Sequence, residues 1–167
     1  MAVGLGVHFQ PKEQPVTEYK VAIIMGSPND RPKMEPAAET LAAFGITADV
    51  QVMSAHRSPA RVAAFVGGAR DNGYAAIIAG AGMAAHLAGA AAAHTTLPVV
   101  GVPLSGGALN GVDALYATVQ MPKGIPVATV AVDGSVNAAL LVVQMLAIGD
   151  PELVAKLVAD REARAAV

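Results

Sequence analysis

The sequence predicts an α/β protein, a three-layer α/β/α sandwich around a five-stranded parallel sheet with one further helix at the C-terminus. Short apolar runs such as "VAIIMG" and "AAIIAG" have the composition of strands buried on both faces. Between such runs lie segments whose apolar residues recur at helical spacing, and the alternation repeats at short intervals from Lys20 onward. Right-handed crossovers then put helices on both faces of the sheet.

The elements follow in order. After "VAIIMG", Met34, Ala37, Ala38, Leu41 and Ala42 mark one face of a helix that Gly45 ends as a C-cap. "TADVQVMS" is the second strand. Ser58 is placed as N-cap of the next helix and Pro59 at its first position, with Val62, Phe65, Val66 and Ala69 facing inward until "NGY". "AAIIAG", "PVVGVPL" and "PVATVAV" supply three more strands. Helices are expected over "MAAHLAGAAAAH", near Gly111 to Val119, and from Ser135 to Ile148. A last helix, Pro151 to Ala165, carries most of the remaining charge. This connectivity is flavodoxin-like. At 167 residues the chain reads as one α/β domain, 20–167, after an extension, 1–19, that contains Pro11 and Pro15, lacks the features of a signal peptide and orders only where it touches a neighbour.

Composition narrows the function. Hydrophobic residues make up 54% of the chain and charged residues only 14%, and no Asp, Glu, Lys or Arg occurs between Asp71 and Asp113. Such a stretch is either a membrane span or surface buried between subunits. Tyr74 to Ala93 divides into a strand-like half and a helical half containing His86, which favours subunits over a membrane. Two bare helices, "MAAHLAGAAAAH" and "NAALLVVQMLAIG", imply two apolar surfaces per chain and an assembly larger than a dimer. A net charge of −2 provides no footprint for nucleic acid or for an anionic membrane, so the expected partner is a small molecule. The absence of cysteine excludes disulfides and thiolate chemistry and agrees with a cytoplasmic protein.

In open α/β sheets ligands bind beyond the carboxyl ends of the strands, where helix N-termini also point. Three turns fall there: "GSPND", "SAHRSP" and "GAGMAAH". Ser27, Ser54 and Arg57 offer donors to a phosphate, and Asp30 an acceptor suited to sugar hydroxyls. His56 is the group among them that exchanges a proton near neutrality. Plainer roles compete. Asp30 is equally suited to cap the helix it precedes, and a loop histidine can simply bind backbone, although the position of His56 beside Arg57 at a strand's carboxyl end favours chemistry. His86 and His94, eight residues apart and so roughly on one side of an Ala-rich helix, each taken alone suit packing or an interface, and His8 receives no role. No cluster resembles a zinc or iron site. "GAGMAA" fits a dinucleotide fingerprint but follows the third strand, and the next strand ends without an acidic residue for a ribose; there is also no G-x-x-x-x-G-K-[ST].

The ordered motifs "IIMGSPND", "VMSAHRSP", "AIIAGAGMAAHLAG", "LPVVGVP", "VDALYATVQMPKGIPVATVAV" and "NAALL" closely resemble the N5-carboxyaminoimidazole ribonucleotide mutase family of purine biosynthesis, over roughly Val21 to Leu146. The resemblance implies transfer of a carboxylate from an exocyclic nitrogen to a ring carbon of aminoimidazole ribonucleotide, with no metal or organic cofactor. It implies Ser27 and Asp30 on the ribotide's phosphate and ribose and, from the motif Ser54, Ala55, His56 and Arg57, Arg57 on the phosphate and His56 as general acid and base. Gly82 belongs to the family's third loop, and His86 falls on its second histidine. A homo-octamer is implied as well. Three positions depart from the family pattern: Asn29 for a serine, Met83 for a glycine and Ala88 for a proline. Two alternatives remain, a carboxylase that takes carbon dioxide directly and a non-catalytic ribotide-binding relative.

Overall fold

The structure is a computed structural model that describes residues 18–166. The expected ordering of the N-terminal extension concerns residues that lie, apart from Glu18 and Tyr19, outside those described. Five strands, β1 (Lys20–Met25), β2 (Thr47–Val52), β3 (Tyr74–Gly82), β4 (Val99–Leu104) and β5 (Ala128–Thr129), form one parallel sheet in the order β2-β1-β3-β4-β5. Six helices connect and follow them: α1 (Arg31–Ala43), α2 (Pro59–Gly67), α3 (Leu87–Ala92), α4 (Val112–Val119), α5 (Ser135–Ala147) and α6 (Pro151–Ala165).

Alternate residues of the central strands feed two cores, as a sheet covered on both faces requires. Val21, Ile23, Met25, Ile78 and Val102 pack with Met34 and Leu41 of α1 and with Ala139 and Val143 of α5. Ala22, Ile24, Ile77 and Ala79 face the other way, against Val62 and Val66 of α2 and Leu87 and Ala91 of α3. The three-layer sandwich and its connectivity are as expected. All β–α turns therefore open at one end of the sheet, the end that holds the site.

Three local expectations need correction. The helix expected over "MAAHLAGAAAAH" shortens to Leu87–Ala92 because Met83 turns left-handed (φ 54°) and the N–H groups of Ala85 and His86 bond back to Met83 and Ala84. His86 thus precedes the helix and His94 follows it, so the two do not share a helical face. The strand expected over "PVATVAV" reduces to two residues, beyond which Val130 N–H donates to Gly101 O. Ser58 stands at the N-cap of α2, but its hydroxyl donates to Ser54 O and caps nothing.

The two helices read as bare also differ. α5 packs against α1 and α6 as well as the sheet, so much of its surface is covered within the chain. The exposed large apolar side chains Leu109, Val112, Tyr116 and Val119 lie instead on α4 and the turn before it.

Candidate active site

The carboxyl ends of β1, β2, β3 and β4 border a crevice of about 580 Å³, a volume suited to a small organic ligand. Its walls include Ser27, Asp30, Ser54, His56, Arg57, Gly82 and His86, so the catalytic and substrate-binding candidates named from sequence line one cavity. Local turn chemistry explains how each is placed. Ser27 Oγ accepts the Asn29 N–H at 3.2 Å and caps a short 3₁₀ turn, Pro28–Asp30, which leaves the hydroxyl hydrogen for a ligand. Asp30 precedes α1 without capping it through its side chain. The carboxylate lines the crevice instead of capping the helix.

Burial raises the Asp30 carboxyl above its ordinary range, and the Ser27 backbone N–H, Lys33 and Arg57 offset this only in part. Ser54 Oγ accepts the Arg57 N–H at 3.2 Å and holds the second turn closed. The Arg57 guanidinium reaches back to the first turn, donating to Gly26 O at 2.7 Å, so one hydrogen bond ties the two turns and a cation stands between them.

The third turn brings the second histidine. His56 Nε2 and His86 Nδ1 are 2.8 Å apart, with ring centroids 4.9 Å apart and planes at 86°. Two facing imidazole nitrogens at that distance share one proton, since a proton on each would leave no acceptor. Both rings are exposed to the crevice mouth, where a ligand can meet them. At Gly82 a Cβ would stand 3.2 Å from Leu104 O, tighter than an ordinary contact, so glycine suits the close approach of β3 to β4 there. The pairing of His56 with His86 was not legible in sequence, because thirty residues and a strand separate them.

Sequence reasoning also missed a fourth wall. Ser105, Gly106 and Gly107, after β4, line the crevice opposite Met83, and Met83 Cγ lies 3.2 Å from where a Gly107 Cβ would be. The "SGG" run after a strand carried the same signal as the other three turns.

The family model described as AIR carboxylase matches residues 20–166. An N5-carboxyaminoimidazole ribonucleotide mutase of Brucella melitensis is 54% identical over 146 residues, covering 86% of this chain and 90% of that protein. A phosphoribosylaminoimidazole carboxylase of Saccharomyces cerevisiae is 51% identical over 137 residues, covering 82% of this chain but 24% of that protein. Among solved structures, Treponema denticola PurE superposes with a TM-score of 0.81 at 27% identity, covering 89% of this chain and 92% of that one. The chain belongs to the AIR carboxylase family.

Proposed function

We propose that this protein is an N5-carboxyaminoimidazole ribonucleotide mutase, an isomerase that produces 4-carboxyaminoimidazole ribonucleotide in purine biosynthesis. The observation that carries the reading is the His56–His86 pair inside a crevice that also presents Arg57, Ser27 and Asp30. The ribotide's phosphate meets Arg57, Ser27 and Ser54, and Asp30 accepts from its ribose. His56 is the acid and base, and His86, hydrogen-bonded to it, holds the shared proton and lies against the ring.

The N–C bond of the carbamate breaks, releasing carbon dioxide into the crevice while His56 protonates the exocyclic nitrogen. The ring carbon then attacks that carbon dioxide, and His56 removes the ring proton, so no atom is gained or lost. Ala81, Gly82 and Ala84 give this part of the pocket an apolar lining, which favours recapture of carbon dioxide over its hydration.

The name of the yeast relative favours a second reading, direct carboxylation of aminoimidazole ribonucleotide. Most of that protein's length lies outside the match, whereas the mutase relative matches over nine tenths of its own, which supports the mutase. The test offers the two substrates separately. Turnover of N5-carboxyaminoimidazole ribonucleotide without added bicarbonate supports the mutase, and turnover only of aminoimidazole ribonucleotide with carbon dioxide defeats it. Ribotide binding with neither turnover would make the protein a binding relative.

Residues 20–167 act as a single catalytic domain in the cytoplasm. No helix among the described residues is long and apolar enough to cross a membrane. The assembly is a homo-octamer, supported by the exposed Leu109, Val112, Tyr116 and Val119 side chains along one stripe of α4 and its approach. Light scattering after size exclusion tests it, and an active monomer at micromolar concentration would defeat it.

A further inference from the structure

The fourth wall of the crevice has almost no side chains with which to anchor itself. Gly106 and Gly107 take φ of 144° and 62°, and neither backbone N–H has a hydrogen-bond partner among the described residues. Glycines free of partners give a segment many conformations, and a crevice wall needs one. Ser105 supplies the anchor. Its N–H donates to Asp133 Oδ1 at 2.8 Å and its hydroxyl to Asp133 Oδ2 at 2.5 Å. Lys33 Nζ donates to Ser105 O at 2.6 Å and to Ser105 Oγ at 2.5 Å, and stands 3.5 Å from Asp133 Oδ1. Every polar atom of Ser105 is thus held, by α1 on one side and by the β5–α5 turn on the other.

Asp133 makes its two contacts from a left-handed backbone (φ 57°), a conformation that an aspartate adopts at a cost. Ion pairs this exposed stabilise a fold weakly, so stability alone is a poor reason to keep a strained aspartate there. Neither Lys33 nor Asp133 lines the crevice. They touch it only through Ser105.

We infer that Lys33 and Asp133 are positioning residues that clamp Ser105 and so fix the Ser105–Gly107 segment as the ligand-facing wall of the ribotide crevice. The inference rests on the ribotide reading of the site. The clamp joins the helix behind the first turn to the fourth and fifth turns, and its removal lets the glycines wander without touching the histidines.

Calorimetry with aminoimidazole ribonucleotide on the intact protein tests this, because it reads affinity whether or not the protein turns over. Lys33→Met and Asp133→Asn should each weaken the ribotide by about tenfold, with the loss in Kd and KM rather than in kcat. The double variant should lose no more than the worse single one, since both act through one serine. Lys33→Arg, which keeps a donor, should recover most of the affinity. Wild-type affinity in both single variants, with only a lower melting temperature, would overturn the clamp and leave a structural brace. Additive losses in the double variant would overturn it too. A wild-type protein that binds the ribotide without mutase turnover would count against the proposed reaction, while the ratio of affinities would still decide the clamp.

Discussion

The two ends of the sheet are built to different standards. At the amino end, Tyr74 donates its hydroxyl to Asp49, Lys20 lies 4.1 Å over the Tyr74 ring, and Gln51 donates to the same aspartate at 2.9 Å. These polar groups satisfy one another. Left-handed turns there fall on Gly45, Gly73 and Gly124, where they cost least. At the carboxyl end the groups point into a cavity, and all three non-glycine residues with positive φ among those described, Met83, Asn110 and Asp133, follow β3, β4 and β5. Of these, Met83 lines the crevice and Asp133 holds one of its walls through Ser105, so non-glycine backbone strain gathers at the end of the sheet that carries the site.

The largest expected break in that comparison is His56→Asn, which removes proton transfer and keeps the shape of the turn. Turnover should fall by about 10² to 10⁴, with ribotide affinity within about tenfold, measured by steady-state kinetics beside calorimetry. Substantial residual activity would move the acid-base role to His86 or elsewhere. Next comes Arg57→Ala, which loses a charge-assisted contact and also unties the first turn from the second. A loss of about 1.5 to 3 kcal/mol in ribotide binding is expected, and an unchanged Kd would place the phosphate in another part of the molecule.

Asp30→Asn should sharpen the contrast by acting in opposite directions on binding and stability. Burial raises this carboxyl in the folded chain, so folding favours its protonated form and ionisation as pH rises costs stability. The variant should therefore bind ribotide more weakly yet melt higher at neutral pH, and a lower melting temperature would contradict the burial argument. At the other end of the sheet, Asp49 is held below the ordinary carboxylate range chiefly by the Tyr74 hydroxyl, against partial burial. Its contribution is fully present above an unfolded value of about 3.9 and is lost as pH falls through the lower folded value. Tyr74→Phe should cost about 0.5 to 1.5 kcal/mol at neutral pH, flatten acid unfolding and leave activity intact. The smallest effect belongs to Met83→Gly. Relief of left-handed strain offsets the entropy of a glycine, so stability should move by less than about 1 kcal/mol while ribotide binding weakens a few-fold as the wall against Gly107 opens.

Much of this was legible in the residues. Continuous apolar strands, the glycine after α1 and the spacing of Met34, Ala37 and Leu41 are local signals of backbone preference and burial, and they determined the layers and the order of elements. The parallel connection then forced "GSPND", "SAHRSP" and "GAGMAAH" to one end, so the membership of the crevice followed from topology. What the sequence could not determine depends on distances between segments far apart in the chain. Only the tertiary structure set His56 against His86, shortened the helix between His86 and His94, freed Asp30 from capping, and brought Lys33 and Asp133 together on Ser105, residues 72 and 28 positions from it. Periodicity reports which face of an element is buried, but a side-chain contact between turns depends on sheet twist, turn geometry and the approach of neighbouring strands, none of which is encoded in any one segment.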